Sequence, residues 1–233
     1  MTVLAFLCGK QQTILRNLAV SRGVIGEGAG VPRTKDQAAR RQQLVSATIE
    51  LIADHGIEAL TLAAIADRAG VSHRLVAYYY ASLETLVHEV HGAAVERYYW
   101  ARRRTLDQAA GPEPRLLQLM RSGLPRRQDR RLSQVLNELS VSASRSTVHA
   151  SLVAQLFDRE VSLYLSVLTE GEASGVFRLS EPALTIARNL VALEDAYGFH
   201  LLARSSPIDA PAALDAITCY ARTATGAALT SSA

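Results

Sequence analysis

His73, Arg74, Ala77 and Tyr78 are spaced i, i+1, i+4 and i+5, which on an α-helix gathers them on one face. That set suits a DNA major groove. A guanidinium offers paired donors to guanine, and small or aromatic groups meet thymine methyls or phosphates. A plain helical hairpin with a solvated polar face would show the same spacing. Three other groups carry possible chemistry. Glu84, His88 and His91 fall at i, i+4 and i+7, where a carboxylate and two imidazoles could hold a metal. His88-Glu89-Val90-His91 is not the zinc-protease spacing, and no metal and no cofactor are expected. Glu194-Asp195 interrupts an apolar helix, which is costly unless the carboxylates are paired or solvated. Asp195 is a candidate for pairing across a subunit interface, and Glu194 for facing a cationic or hydroxylated ligand. Gly26-x-Gly28-x-Gly30 lacks the preceding strand and the Gly-Lys-Ser/Thr of a phosphate loop. No nucleophile–base pair stands out, so an enzyme is not expected.

The elements that must position the His73–Tyr78 face lie in TLAAIADRAGVSHRLVAYYY, residues 61–80. Thr61 can cap a first short helix. Gly70 can end it in a left-handed conformation, and Ser72 can cap a second helix to about Tyr79. Small Ala66 permits close approach, while Ile65, Val71 and Val76 supply apolar contacts. Val71, Leu75, Val76 and Tyr80 are expected to face inward. The pattern fits a helix-turn-helix.

Charge is unevenly distributed. Residues 1–131 hold 19 Lys/Arg and 12 Asp/Glu, or +7, and residues 132–233 hold 6 and 10, or −4. A basic N-terminal part beside an acidic remainder suits a nucleic-acid head on a body with another task. With 48% hydrophobic residues in 233, a globular chain of one or two small domains is expected. Cys8 and Cys219 form no disulfide framework and no zinc spacing. No apolar run reaches the roughly 18–20 residues of a membrane helix, and Met1–Leu7 is short for a signal peptide. A cytoplasmic protein is expected, with no membrane partner.

Residues 1–33 read as a disordered extension or the product of an upstream start codon. The first helix is expected from about Asp36 to Asp54, on the Leu44, Thr48, Leu51, Ile52 stripe, and His55-Gly56 ends it. Ser82 caps a long fourth helix to about Leu106, whose Arg102, Arg103 and Arg104 are expected to be solvated. Asp107–Pro114 is a break made by glycine and two prolines. Further helices are expected over Arg115–Gly123, Leu132–Ser144, Val148–Glu172, from Pro182 to about Arg204, and Ala212–Leu229. The fold class is all-α with about nine helices. Residues 34–80 would be the head, 81–106 a connecting helix, and 81–233 a helical body. The last two helices are apolar on more than one side and need two buried faces.

RQQLVSATIELIADHGIEALTLAAIADRAGVSHRLVAYYYASLETLVHEV, Arg41 to Val90, resembles the N-terminal domain of the TetR family of transcriptional regulators. The match runs through Ala47 and Leu51, His55-Gly56, Leu60-Thr61, Ile65-Ala66, Ala69-Gly70-Val71-Ser72, Tyr79-Tyr80 and Ser82-x-Glu84-x-Leu86. Val76-Ala77-Tyr78-Tyr79-Tyr80 resembles the subgroup of choline-responsive Bet-type repressors. The family usually places Lys, a phosphate contact, where Leu83 stands here. The resemblance implies a helix-turn-helix head, and a C-terminal body that dimerises through its last two helices and encloses an apolar effector cavity. Double-stranded operator DNA, an unidentified small-molecule effector and a second copy of the chain are the implied partners. The implied DNA contacts are His73, Arg74, Ala77, Tyr78 and Tyr79 on the second short helix, with Thr61 and Ser72 at the caps. Read from the residues alone, Arg33, Lys35, Arg40 and Arg41 form a basic arm at the first helix that could reach phosphates or a minor groove, with a solvated basic stretch as the competing reading, and Arg40 and Arg41 are its candidate DNA contacts. Trp100, Met120, Phe157 and Tyr164 are candidates to line the cavity, with Leu168, Leu190 and Glu194; ordinary core is the competing reading for each. The implied function is a repressor that binds a pseudo-palindromic operator as a dimer and is released by its effector. A helical protein-interaction module, or an activator that keeps the head, is the alternative.

Overall fold

The computed structural model describes residues 33–203 and 207–230. The expected extension, with Cys8 and the Gly26-x-Gly28-x-Gly30 run, therefore lies outside the described residues apart from Arg33, which opens the first helix. Among the described residues there are nine α-helices and two short 3₁₀ turns, with no strand. They are α1 (Arg33–His55), α2 (Leu62–Ala69), α3 (His73–Tyr79), α4 (Leu83–Leu106), α5 (Pro112–Gly123), α6 (Arg130–Val141), α7 (Thr147–Ala173), α8 (Ala183–Leu202) and α9 (Ala210–Thr225).

Local chemistry sets the short helices. The Thr61 side chain accepts from the Ala64 N–H at 3.1 Å, satisfying one orphan donor of α2. Gly70 ends α2 at φ 65°, ψ 36°, and the Val71 N–H reaches back to the Ala66 carbonyl at 3.0 Å. Ser72 caps α3 through the Leu75 N–H, and Ser82 caps α4 through the Thr85 N–H. Prolines act differently from the sequence expectation. Pro112 and Pro114 do not lie in a loop; they occupy the first turn of α5, where a missing N–H costs no intrahelical bond. Pro211 does the same for α9. That helix stops at Thr225 rather than Leu229, because Gly226 turns left-handed at φ 67°. The chain then folds back and buries Leu229. The carbonyls of Thr225 and Ala224 at the end of α9 accept the N–H groups of Arg178 and Ser180 at 2.7 and 2.9 Å.

Two apolar cores form. One joins α1, α2, α3 and the first half of α4 to Leu132, Val135, Leu136 and Leu139 of α6. The other unites α5, α7, α8 and α9. Helix α4 takes part in both, through Leu86 to Val95 in the first and Leu106 in the second. Ion pairs add to the first junction. Arg68 of α2 meets Asp54 of α1 at 2.9 Å, and Arg131 of α6 pairs with the same carboxylate. The Arg68 hydrogen bond leads in holding the Asp54 carboxyl below its ordinary range.

Gly171 sits within α7 with the Phe177 ring directly over its Cα. A methyl group there would overlap the ring carbons. Gly171→Ala is expected to cost about 1–3 kcal/mol through overpacking. Chemical denaturation checks this, and an unchanged midpoint would mean that Phe177 moves aside without loss.

Candidate nucleic-acid interface and a cavity in the helical body

Helix α3 presents the predicted face. His73, Arg74, Ala77 and Tyr78 are exposed, Tyr78 at 71%. Val76 and Tyr80 are fully buried, and Val71 and Leu75 are partly so. The Tyr78 ring meets Tyr79 edge to face at 5.2 Å between centroids, which limits its freedom. Tyr79 is only partly exposed and packs against the head core. Thr61 and Ser72 are exposed; each cap uses an oxygen lone pair and leaves the hydroxyl proton available for a phosphate.

The two arginines of α1 differ. Arg41 is engaged within the head: its Nη1 lies 3.0 Å from Glu89, its Nη2 donates to the Tyr79 carbonyl at 3.4 Å, and its guanidinium stacks over Tyr80. It braces α1 and α4 around the end of α3, a role that sequence spacing does not show. Arg40 is exposed and donates to Gln43 at 2.9 Å, one turn along the same helix. Arg40→Ala is expected to weaken DNA binding on every sequence alike and to lower the slope of log K against log salt by about 1. A titration series in salt reads this directly, and an identical slope removes Arg40 from the backbone contacts.

A cavity of about 300 Å³ lies among α4, α6, α7 and α8. Of the residues expected to line it, Phe157 and Glu194 do. Trp100 does not: it is 51% exposed, and its indole N–H donates to Glu96 at 2.9 Å on the outside of α4. Met120, Tyr164, Leu168 and Leu190 do not line it either. All four are completely buried in the core of α5, α7, α8 and α9, on the faces packed against neighbouring helices. Apolar helical spacing cannot tell a cavity wall from a filled core, which is why Met120, Tyr164, Leu168 and Leu190 were expected there.

The two carboxylates that line the cavity are held by a residue expected in solvent. Arg102 is 2% exposed. Its Nη1 donates to Glu160, and its Nη2 donates to Glu194 at 2.8 Å and to the Leu119 carbonyl at 3.3 Å. The Tyr164 hydroxyl donates to the other oxygen of Glu194. Burial pushes Glu194 up to about 8 and Glu160 up to about 7, against the pull of Arg102. Burial alone would favour a neutral guanidinium, but the two carboxylates more than offset it and Arg102 stays charged. Gly123 makes room for this cluster: a Cβ there would strike the Glu194 carboxyl group. Its carbonyl also accepts the Tyr98 hydroxyl at 3.1 Å. Arg102 and Glu160 were not singled out by sequence. The one available signal was Glu194, a carboxylate interrupting an apolar helix.

His91 reaches the same cavity and lies with its Nδ1 2.7 Å from that of His149. Burial, then the neighbouring His149, lowers His91 to about 4, so it is neutral at neutral pH. Of the Glu84, His88, His91 set, His88 lies 3.9 Å from Glu84, and the rings of His88 and His91 both pack against His149 of α7. Among the described residues no three His, Cys, Asp or Glu are arranged to hold a metal. None of the described helices is long and apolar enough to cross a membrane.

Comparisons with known proteins fit this layout. Residues 44–90 match the family described as bacterial regulatory proteins, tetR family. The chain is 26% identical over 148 residues to the HTH-type transcriptional repressor KstR2 of Mycolicibacterium smegmatis, covering 63% of this chain and 72% of that one. It is 40% identical over 57 residues to the HTH-type transcriptional regulator BetI 1 of Chromohalobacter salexigens, covering 24% and 28%. Among solved structures, a Saccharomonospora viridis regulator in complex with choline superposes at TM-score 0.74 with 20% identity, over 81% of this chain and 98% of that one. A TetR regulator of Haloarcula marismortui superposes at 0.73 with 23% identity, over 82% and 99%. These two structures share the fold. The family match rests on the residues that build α1 to α4 around the exposed face of α3, and over residues 44–90 the chain carries the DNA-binding head of the TetR family of transcriptional regulators.

Proposed function

We propose that the protein is a dimeric repressor that reads a pseudo-palindromic operator in the cytoplasm and leaves it when a small molecule fills the cavity. The observation that carries this reading is the course of α4. Leu86 and Val90 near its start are buried in the head core, while Tyr98 and His91 border the cavity. A ligand that favours one packing of α4 over another would change how the head is held, and differential affinity for the two packings is all that such control needs. The functional division falls near residue 80, with 34–80 reading DNA and 81–233 sensing and dimerising.

Two copies are needed for a two-fold operator. Helices α8 and α9 carry a face with no cover in the single chain. Leu184, Ala192, Ala196 and Phe199 are exposed on α8, beside Ala212 and Cys219 on α9. Small residues along such a face allow two helix pairs to approach closely. Asp195 is exposed on the same side and would find its partner across that interface. The choline bound to the Saccharomonospora viridis neighbour supports a small-molecule ligand within this fold.

A reporter fused to the promoter beside the protein's own gene tests the direction of control. Deleting the protein should raise expression, and supplying it should restore silence. A fall in expression on deletion would identify an activator. No change would favour the protein-interaction reading.

A further inference from the structure

Glu160 of α7 and Glu194 of α8 share one guanidinium, that of Arg102, and both carboxyl groups are almost wholly buried. Two carboxylates against one cation leave a negative charge that burial makes very costly. No lysine or arginine lines the cavity among the described residues, so a proton makes up the difference. Burial raises both groups to neutral pH or above, which keeps that proton in place.

Hydrogen-bond accounting puts the proton on Glu160. Glu194 is satisfied as an anion: one oxygen accepts from Arg102 at 2.8 Å and the other from the Tyr164 hydroxyl. Glu160 accepts from Arg102 through Oε1, and among the described residues no donor reaches its Oε2. That oxygen can carry the proton, and because Glu160 lines the cavity the O–H is a donor at its wall. The other titratable groups around it do not take this part. From α4, burial keeps the His91 ring neutral and the Tyr98 hydroxyl protonated, and the Tyr98 proton goes to the Gly123 carbonyl. From α8, desolvation at the rim raises Asp195 to about 6. Helix α6 lines the cavity with no ionisable group, its polar residues there being Ser133, Asn137 and Ser140.

The rest of the wall is largely apolar, with Leu136, Leu156, Phe157 and Phe199. Past Val153 and Phe157, which border both spaces, an open apolar groove continues along Ala150 and Ala154. The volume of about 300 Å³ belongs to a small ligand. Carboxyl groups at the rim and in the wall disfavour an anion.

We infer that the cavity binds an uncharged molecule with an apolar body and a carbonyl-type acceptor, and that the carboxylic acid of Glu160 donates to that acceptor. Naming this molecule as the effector rests on the regulator reading above; the binding itself does not.

Four probes built on one ring test the inference: acetophenone, α-methylstyrene, in which a methylene replaces the carbonyl oxygen, 1-phenylethylammonium and benzoate. Each is titrated into the full chain by NMR at fixed ionic strength, at about pH 6 and about pH 8.5. At the lower pH the ketone should bind at least about fivefold more tightly than the alkene, and more tightly than either ion. The ketone needs the protonated acid, so its affinity is complete in acid and lost as pH rises through about 7, down to that of the alkene or below. Glu160→Gln keeps an N–H donor in the same place, so it should retain the ketone and abolish the pH dependence. Asp195→Asn should leave that dependence intact, and Glu160→Leu should level ketone and alkene. The ketone–alkene contrast and the pH profile of the unaltered protein decide the matter even if a variant does not fold. Equal affinity for ketone and alkene, tighter binding of the ammonium, ketone affinity that is flat or rises with pH, or no binding of the ketone would each overturn the inference. Operator affinity is measured separately, with and without ketone. Ketone binding that leaves operator affinity untouched upholds this site and removes its effector role. Selective operator binding by a protein that does not take up the ketone overturns the site and leaves the regulator reading standing.

Discussion

Arg102→Ala is expected to cost about 3–5 kcal/mol of stability, because it strands two buried carboxylates without their cation. At this chain length that corresponds to a fall in Tm of about 6–20 °C. The loss depends on pH in a defined direction. Glu160 and Glu194 bind protons in the folded state up to about 7 and about 8, well above their ordinary value of 4.5. Between those values the folded state holds more protons than the unfolded one. Their favourable contribution is therefore complete below 4.5 and is lost as pH rises through 7 and 8. Removing Arg102 takes away the charge that pulls them down, so both rise further. The deficit of Arg102→Ala relative to the unaltered protein should thus be smallest near about pH 5.5 and largest near about 8.5. His91 becomes charged in acid in both proteins and cancels in the difference. Exchanging Arg102, Glu160 and Glu194 together for apolar residues of similar size should recover most of the loss. Thermal unfolding across pH decides the matter. A single substitution that leaves Tm in place, or a deficit that grows in acid, would show that the cluster is not held by these charges.

Arg74→Ala is expected to reduce operator affinity by about 1–3 kcal/mol and to relax base preference at one position per half-site. Arg74 is exposed on the face that also carries His73, Ala77 and Tyr78, and α3 is fixed beneath it by Val76 and Tyr80. Its removal should leave stability unchanged, since it makes no core contact. Arg41→Ala should behave differently. Arg41 holds the end of α3 through the Tyr79 carbonyl and Glu89, so its loss should weaken all sequences and lower Tm together. Fluorescence anisotropy on a panel of single-base operator variants separates the two patterns. Wild-type affinity and selectivity in Arg74→Ala would remove it from the readout face.

The head was legible in the sequence because its determinants are local. Thr61, Gly70, Ser72 and Ser82 each fix a helix end by chemistry within four residues, and all four do so in the structure. The inward and outward faces of α3 follow from helical period alone. The body was legible only as a set of helices. Whether Met120 or Leu190 meets a cavity or another side chain depends on helices 70 residues or so away, and spacing along one helix carries no such information. Arg102 shows the same limit from the other side. In the run Arg102-Arg103-Arg104 the three side chains look alike, yet only the first points at Glu160 and Glu194. The proline-rich break was read as a loop because proline stops a helix it follows; here it also starts the next one. Glu194 was flagged by cost, since a carboxylate on a buried helix must find a partner. Its partner proved to be within the same chain.

The most direct test of the central claim is binding of the purified protein to the DNA flanking its own gene, against excess random competitor at fixed salt. A DNA-reading repressor should retain a discrete site in the presence of competitor, with two protomers or a small multiple of two on one pseudo-palindrome. Weak binding that competitor abolishes, equal on every sequence, would contradict it.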